Sequence, residues 1–390
     1  MRKTITHLAL FALVFALMTS GFAYAAAWMQ ISEATETYTV AANADGTRFL
    51  MAEAHNYVGD ALASRAYLIG ADGSGETALV LADTDVGKPV ADRLLATLGI
   101  SAEAGAAIID ESGEAGFVMM FLPWRDARMT AVAGNSMLVS FPQSGVYALI
   151  DALSGETFAL TADAAMLGSD GRVGLRDWMG VCSIFDPADG SAVPFAFDDA
   201  DEWSALSILP LSDGGVMAMC IPTKPSDNFP FACYALDIGP DGGVRWHLST
   251  GIDPADYKAD AFYYSEAAQT GIIWGENEEM LRPLVFRAVK AESNTPLYEN
   301  TENALLPLGL SQDGKCVLVC DRGAGDLYLL DLETMALDQV ATDAELAALF
   351  VTRGIDYAHA ETLASFSWNG NDVLIGWYGA PGGAIRLGIE

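Results

Sequence analysis

The sequence predicts an all-β chain in which one small antiparallel sheet recurs and stacks against its own copies. Three observations carry this: a recurring strand that ends in Asp and a Gly turn, a second recurring turn ahead of it, and a repeat length too short for any copy to bury both faces alone. Apolar residues make up 52% of the 390 residues, enough for a large core and too many for a disordered chain.

The first recurring element is clearest in Val146–Glu156 (VYALIDALSGE), Cys182–Ser191 (CSIFDPADGS), Cys233–Gly243 (CYALDIGPDGG) and Leu327–Ala336 (LYLLDLETMA). Its landmark aspartates are Asp151, Asp186, Asp237 and Asp331, and Ala66–Glu76 (AYLIGADGSGE) is a looser copy. Leu284–Ser293 (LVFRAVKAES) fills the wide interval before Asp331. The second element is a turn followed by a β-rich run: Asn43–Gly46 before TRFLMAEA, Ser169–Gly171 before RVGLRDW, Ser212–Gly215 before VMAMCI and Ser311–Gly314 before KCVLVC. Asp bonds its own turn and Gly accepts positive φ, so both elements read as tight turns between strands. Each unit is then a four-stranded meander.

Meanders repeated at this period bury their faces against each other around an axis, which is a β-propeller. The units fall near residues 36–82, 129–161, 163–198, 204–249, 260–299, 303–340 and 361–390. Seven blades is the expected count, with six and eight as the neighbouring alternatives. The last unit shows three strands, and Trp28–Ser32 (WMQIS) is the expected fourth, which leaves no open sheet edge. Lys88–Gly99 and Thr342–Gly354 have helical spacing and a closing Gly. Ala106–Asp126 reads as a hairpin-like pair around IIDESGE, either decoration or a partial eighth blade. The expected organisation is a signal peptide over 1–25, then one domain over 26–390 with insertions near 84–126 and 341–358.

Leu310–Met335 (LSQDGKCVLVCDRGAGDLYLLDLETM) is similar to the SPDGK…LYLLDLETG repeat of TolB-type and WD-like β-propellers. VYALIDALSGE and CYALDIGPDGGVRW resemble quinoprotein-type repeats, although only Trp246 stands where those repeats end in Trp. The resemblance implies a fold and no catalytic residue, because hosts of these repeats range from scaffolds to hydrolases.

Arg2 and Lys3, the apolar run Leu8–Met18 and the small-x-small site Ala23-Tyr24-Ala25 make a secretory signal, with Ala26 first in the exported chain. No later run is long and apolar enough to span a bilayer, so a secreted or extracytoplasmic protein is expected. Acids outnumber Lys and Arg by 52 to 20, and cleavage removes two cations and no acid. That field disfavours nucleic acid and anionic lipid as partners. Cys316 and Cys320 sit too far apart along one strand to bridge. Cys220 and Cys233 flank a turn-rich segment, either as a disulfide or as two buried thiols.

Neither a nucleophile elbow nor a clustered set of metal ligands or a cofactor motif stands out. Neither the acidic loops nor Asp186–Gly190 and Asp321–Asp326 carry regular calcium spacing. The unusual local chemistry is Trp124-Arg125-Asp126 and Arg176-Asp177-Trp178, Arg beside Trp in a cation-poor chain. Arg there suits a carboxylate or sulfate and Trp a sugar ring or aromatic group; alternatively, both clusters tie one blade to the next. The expectation is a monomeric, non-enzymatic binding or scaffold protein that needs no cofactor or metal. It would recognise a protein, peptide or glycan through one loop-bearing face. The alternative is a secreted carbohydrate hydrolase or lyase with carboxylates in the central funnel.

Overall fold

The computed structural model describes residues 25–31, 37–58, 61–82, 90–124, 127–196, 201–226, 229–255, 262–266, 269–275, 285–290, 296–300, 305–311, 313–352, 363–369, 372–377 and 383–388. Among them, seven small sheets follow one another along the chain. Strand β1 (Ala25–Gln30) belongs to the last of these. The first sheet is β2 (Thr37–Ala42), β3 (Arg48–Val58), β4 (Ala61–Gly70) and β5 (Thr77–Ala78), in that spatial order. The second has β7 (Arg128–Ala133), β8 (Ser136–Phe141), β9 (Val146–Asp151) and β10 (Glu156–Thr161), with β6 (Val80–Ala82) added parallel to β10. The third is β11 (Ala164–Leu167), β12 (Val173–Arg176), β13 (Cys182–Asp186) and β14 (Ser191–Pro194). The fourth is β15 (Trp203–Pro210), β16 (Val216–Pro222), β17 (Tyr234–Ile238) and β18 (Val244–Ser249).

The fifth sheet is β19 (Phe262–Ser265), β20 (Thr270–Gly275), β21 (Val285–Lys290) and β22 (Pro296–Asn300). The sixth is β23 (Leu305–Leu310), β24 (Cys316–Asp321), β25 (Leu327–Asp331) and β26 (Leu337–Ala341). The seventh joins β27 (Leu363–Asn369), β28 (Asp372–Trp377) and β29 (Gly383–Gly388) to β1, which runs antiparallel to β29 from Ala25↔Gly388 to Gln30↔Gly383. The N-terminal strand thus supplies the fourth strand that the last repeat lacks. This is a β-propeller-type fold of repeated antiparallel sheets.

Burial explains why the sheets stack. Central strands are covered on both faces, as in β16, where six of seven residues are buried, while outer strands such as β14 end exposed. Apolar clusters fill the spaces between consecutive sheets. Phe158 and Leu160 of the second sheet meet Val173 and Phe185 of the third, with the Phe158 and Phe185 rings 5.4 Å apart. Cys182 of the third sheet joins Trp203 and Leu236 of the fourth, and Met219 of the fourth joins Ile273 of the fifth. Ile272 of the fifth packs with Val319 of the sixth, and Leu318 of the sixth with Ile385 of the seventh. Leu374 of the seventh packs with Phe49 of the first, and Leu50 of the first with Val139 of the second. Gly174 of β12 lies so close to the Ile208 carbonyl of β15 that a Cβ there would collide with backbone.

The predicted turns form as their residues dictate. Asp151, Asp186 and Asp331 each accept backbone N–H groups two or three residues on. Asp237 departs from this pattern: its turn is closed by Asp241, and its own carboxylate lies 3.7 Å from Arg245. The N–H of Thr334, then that of Glu333, holds the Asp331 carboxyl below the usual carboxylate range, and the Gly215 N–H does the same for Asp213.

Both predicted helices are present, α1 (Val90–Leu98) and α3 (Asp343–Val351), the latter opened by a capping box between Thr342 and Glu345. The hairpin expected over Ala106–Asp126 is instead helix α2 (Ala102–Phe121), N-capped by Ser101 and interrupted at Gly113, whose φ is 76°. Apolar runs as short as AAII and FVMMF fit a buried helix as well as a strand, and the Gly signal marks a kink rather than a hairpin turn. No partial blade exists there; α1 and α2 lie against the first two sheets through Leu94, Phe117 and Phe121.

The Cys220–Cys233 bridge is also absent. None of the five cysteines forms a disulfide, and Cys220 stands opposite Tyr234, one residue past Cys233. That offset puts the two thiols on opposite faces of the fourth sheet, one among the residues shared with the third sheet and the other among those shared with the fifth.

Phe185→Ala is expected to cost about 3–5 kcal/mol in denaturant unfolding, whereas Leu337→Ala, on an outer strand, should stay within about 0.5 kcal/mol. Because the folded-state pKa of Asp331 is lowered, its contribution is present above the unfolded-state pKa and lost as pH falls through the folded value. Wild type should therefore exceed Asp331→Asn in unfolding midpoint at neutral pH, with the gap closing in acid. A gap that widened in acid would contradict this sign.

Candidate functional site

In each meander the first-to-second-strand turn and the second-to-third-strand turn lie at opposite ends. The first kind of turn is tied to its neighbours. Asn43 donates from Nδ2 to Asn135 Oδ1 at 3.1 Å, linking the first and second sheets. Glu266 accepts from Ser169 Oγ at 2.5 Å and from the Ser212 N–H and Oγ at 2.8 and 2.6 Å, linking the third, fourth and fifth. Two of these donors are the serines of the SDG turns.

The second kind of turn is open. Between α1 and the second sheet, at the link to the third, lies a cleft of about 380 Å³ lined by Arg93, Thr97, Gln143, Tyr147 and Asp163 with the Phe141–Val146 turn. Asp163 sits between two guanidinium groups, Arg93 and Arg176, each 4.0 Å away. Arg93 Nη1 donates to the Gly145 carbonyl at 3.0 Å, and Arg176 Nε donates to the Ala205 carbonyl of the fourth sheet at 2.7 Å. Ser144 Oγ donates to the Phe141 carbonyl, and no imidazole or thiol lines the cleft. The arrangement fixes charge in a polar recess and suits binding.

Next to the cleft stands the turn from Arg176 to Cys182. Asp177 Oδ1 accepts from the N–H groups of Met179 and Val181 at 2.9 and 2.8 Å, and Gly180 takes a φ of 83°. Thus pinned, the turn leaves Trp178 75% exposed, Met179 64% and Val181 52%. The corresponding turn of the fourth sheet carries Phe231, 56% exposed. At its base Phe229 packs on Trp203 and His247, with centroids 5.1 and 5.3 Å apart. Thr223 fastens this turn to the carbonyls of Glu202 and Asp201. Cys182 and Cys220 lie in the apolar cluster beneath both turns. Burial pushes the Cys182 thiol up to about 11 against the opposing pull of Arg176, and burial raises Cys220 as well.

The two Arg–Trp clusters therefore differ. Trp124 is fully buried, edge-on to Phe141 at 5.0 Å, with its Nε1 donating to the Met119 carbonyl; it is a core residue and presents no face to a ligand. Arg125 and Asp126 lie outside the described residues. In the second cluster Arg176 ties two sheets, Asp177 builds the turn, and Trp178 is displayed. Sequence reasoning missed Arg93, Asp163 and Phe231. Arg93 was on a helix the sequence revealed, but nothing local signals its approach to Asp163. Among the described residues no three His, Cys, Asp or Glu side chains converge as a metal site, and no helix is long and apolar enough to cross a membrane.

No protein-family model matches the chain, and no curated protein matches it. Among solved structures it is similar to the β-propeller domain of Cps50 (Swd1) from Myceliophteria thermophila, 10% identical, over 93% of this chain and 99% of that one, with a TM-score of 0.49. KlHsv2 with loop 6CD replaced by a Gly-Ser linker is 9% identical over 88% and 90%, with a TM-score of 0.43. Kuenenia stuttgartiensis hydrazine synthase is 10% identical over 89% and 94%, at 0.40.

Trp124→Ala should cost about 3–5 kcal/mol in unfolding free energy, while Trp178→Ala should shift it by no more than about 0.5 kcal/mol. Equal costs would mean that Trp178 is not the displayed residue.

Proposed function

We propose that this chain is exported and closes into a ring of seven blades that binds a protein, peptide or glycan through the end bearing the second-to-third-strand turns. The observation that carries the reading is the contrast between the two ends. One is zipped by Asn43–Asn135 and by Ser169, Ser212 and Glu266; the other presents a recess and displayed apolar side chains. Ring closure is supported by apolar clusters that link each sheet to the next and the seventh back to the first, and by β1 pairing with β29. Export is supported by Arg2, Lys3, the Leu8–Met18 run and Ala23-Tyr24-Ala25.

Binding is favoured over hydrolysis by the lining of the cleft. Acid–base cleavage of a glycoside needs two carboxyl groups facing one bond, and among the described residues the cleft offers one, Asp163, already flanked by Arg93 and Arg176.

N-terminal sequencing of the protein recovered after export should begin at Ala26; a retained Met1 would overturn the export reading. Screening that exported protein on glycan and peptide arrays should give saturable binding that Arg93→Ala or Trp178→Ala weakens. Specific turnover of a glycan, or binding untouched by either change, would overturn the binding reading.

A further inference from the structure

We infer that the paired turns of the third and fourth sheets form a docking surface for a peptide segment that carries bulky apolar side chains between Lys or Arg residues. This rests on the reading that the open end binds, and narrows it to a place and a partner chemistry.

Isolated apolar side chains on a surface are ordinary, whereas contiguous ones mark interaction sites. Here Trp178, Met179 and Val181 occupy one turn, and Phe231 occupies the equivalent turn of the next sheet. Val193, 63% exposed on outer strand β14 opposite Ile184, adds exposed apolar area to the third sheet. Trp, Phe and Met are the residue types that dominate interface energetics. The first turn is held by the Asp177 carboxylate, and the second by Thr223 and by the stacking of Phe229. At the first turn little ordering is left to be done on binding, so contact energy there appears as affinity.

Charge selects the partner. Exposed Asp201 and Glu202 flank the second turn, Asp253 follows β18 at the same end, and Asp177 underlies Trp178. Among the described residues the cations nearby are Lys224, which is exposed, and Arg176, already engaged with Asp163 and the Ala205 carbonyl. The formal charge of −32 adds a long-range field of the same sign. A second copy of the chain would bring like charge against this surface, and anionic lipid would be repelled. A segment with apolar anchors and basic neighbours satisfies both features, its charges speeding encounter and its anchors setting residence time.

The test uses the exported protein and three short synthetic peptides: alternating Leu/Phe and Lys, the same with Lys→Glu, and the same with Leu/Phe→Ser. The first should bind with an affinity that falls as salt rises, and the other two at least tenfold more weakly. Trp178→Ala and Phe231→Ala should each weaken binding of the first at least tenfold, with thermal unfolding unchanged. The inference is overturned by equal binding of the acidic peptide, by binding that survives the double variant, or by no binding of any peptide. It is also overturned if Trp178→Ala instead abolishes self-association or binding to phosphatidylcholine vesicles. Peptide or glycan binding lost in Arg93→Ala but kept in Trp178→Ala and Phe231→Ala would leave the open-end reading standing and remove this one.

Discussion

Everything in this chain depends on one requirement: a four-stranded sheet with apolar residues on both faces has to be covered twice. A sheet that faced water on one side would alternate apolar and polar residues along each strand. Strands such as β16 (VMAMCIP) and β24 (CVLVCD) do not alternate; their central residues are buried on both sides. Each sheet is therefore unstable alone and complete only between two others. Repetition supplies the neighbours, and the pairing of β1 with β29 brings the chain's beginning to its last sheet. The closeness of that packing is set by backbone as well as side chains, as the contact of Gly174 with the Ile208 carbonyl shows.

The acidic excess follows from the same architecture. A meander needs a turn every few residues, and the turns here are closed by aspartates that accept backbone N–H groups: Asp151, Asp186, Asp189, Asp321 and Asp331 are examples. The Ser191 hydroxyl, then its N–H, holds the Asp189 carboxyl below the usual carboxylate range, and the N–H groups of Thr334 and Glu333 do the same for Asp331. Part of the chain's negative field is thus a by-product of how its strands are joined. It nonetheless acts on any partner that approaches, and it acts in one direction.

This division decides what could be read from the letters. The repeats, unit boundaries, fourth strand of the last sheet, and α1 and α3 were legible because turn chemistry and strand patterning are local. Ala106–Asp126 was misread because two short apolar runs around a Gly look the same in a kinked helix and in a hairpin. For Cys220 and Cys233 the sequence left a disulfide and two buried thiols open, and a single step of register, invisible in sequence, decides for the thiols by sending them to opposite faces. Arg176, Asp177 and Trp178 stand out in the sequence because Arg beside Trp is conspicuous in a cation-poor chain, and the structure places Trp178 on an exposed turn closed by Asp177. The same signal at Trp124 led into the core, because composition cannot separate a displayed indole from a buried one. Arg93 and Asp163 meet only through the packing of an inserted helix on two sheets.

Arg176 joins the packing of the sheets to the exposed turn beside it. Its Nε holds the Ala205 carbonyl of the next sheet, its Nη1 faces Asp163 at the edge of the cleft, and the residue after it builds the turn that displays Trp178. The distance from cleft to displayed indole is therefore fixed by the spacing of two sheets rather than by a loop free to move. A surface held in that way can present charge and apolar area in a constant relation, which a flexible loop of the same residues could not. The Arg–Asp–Trp cluster is accordingly both a tie between sheets and the rigid base of an exposed turn.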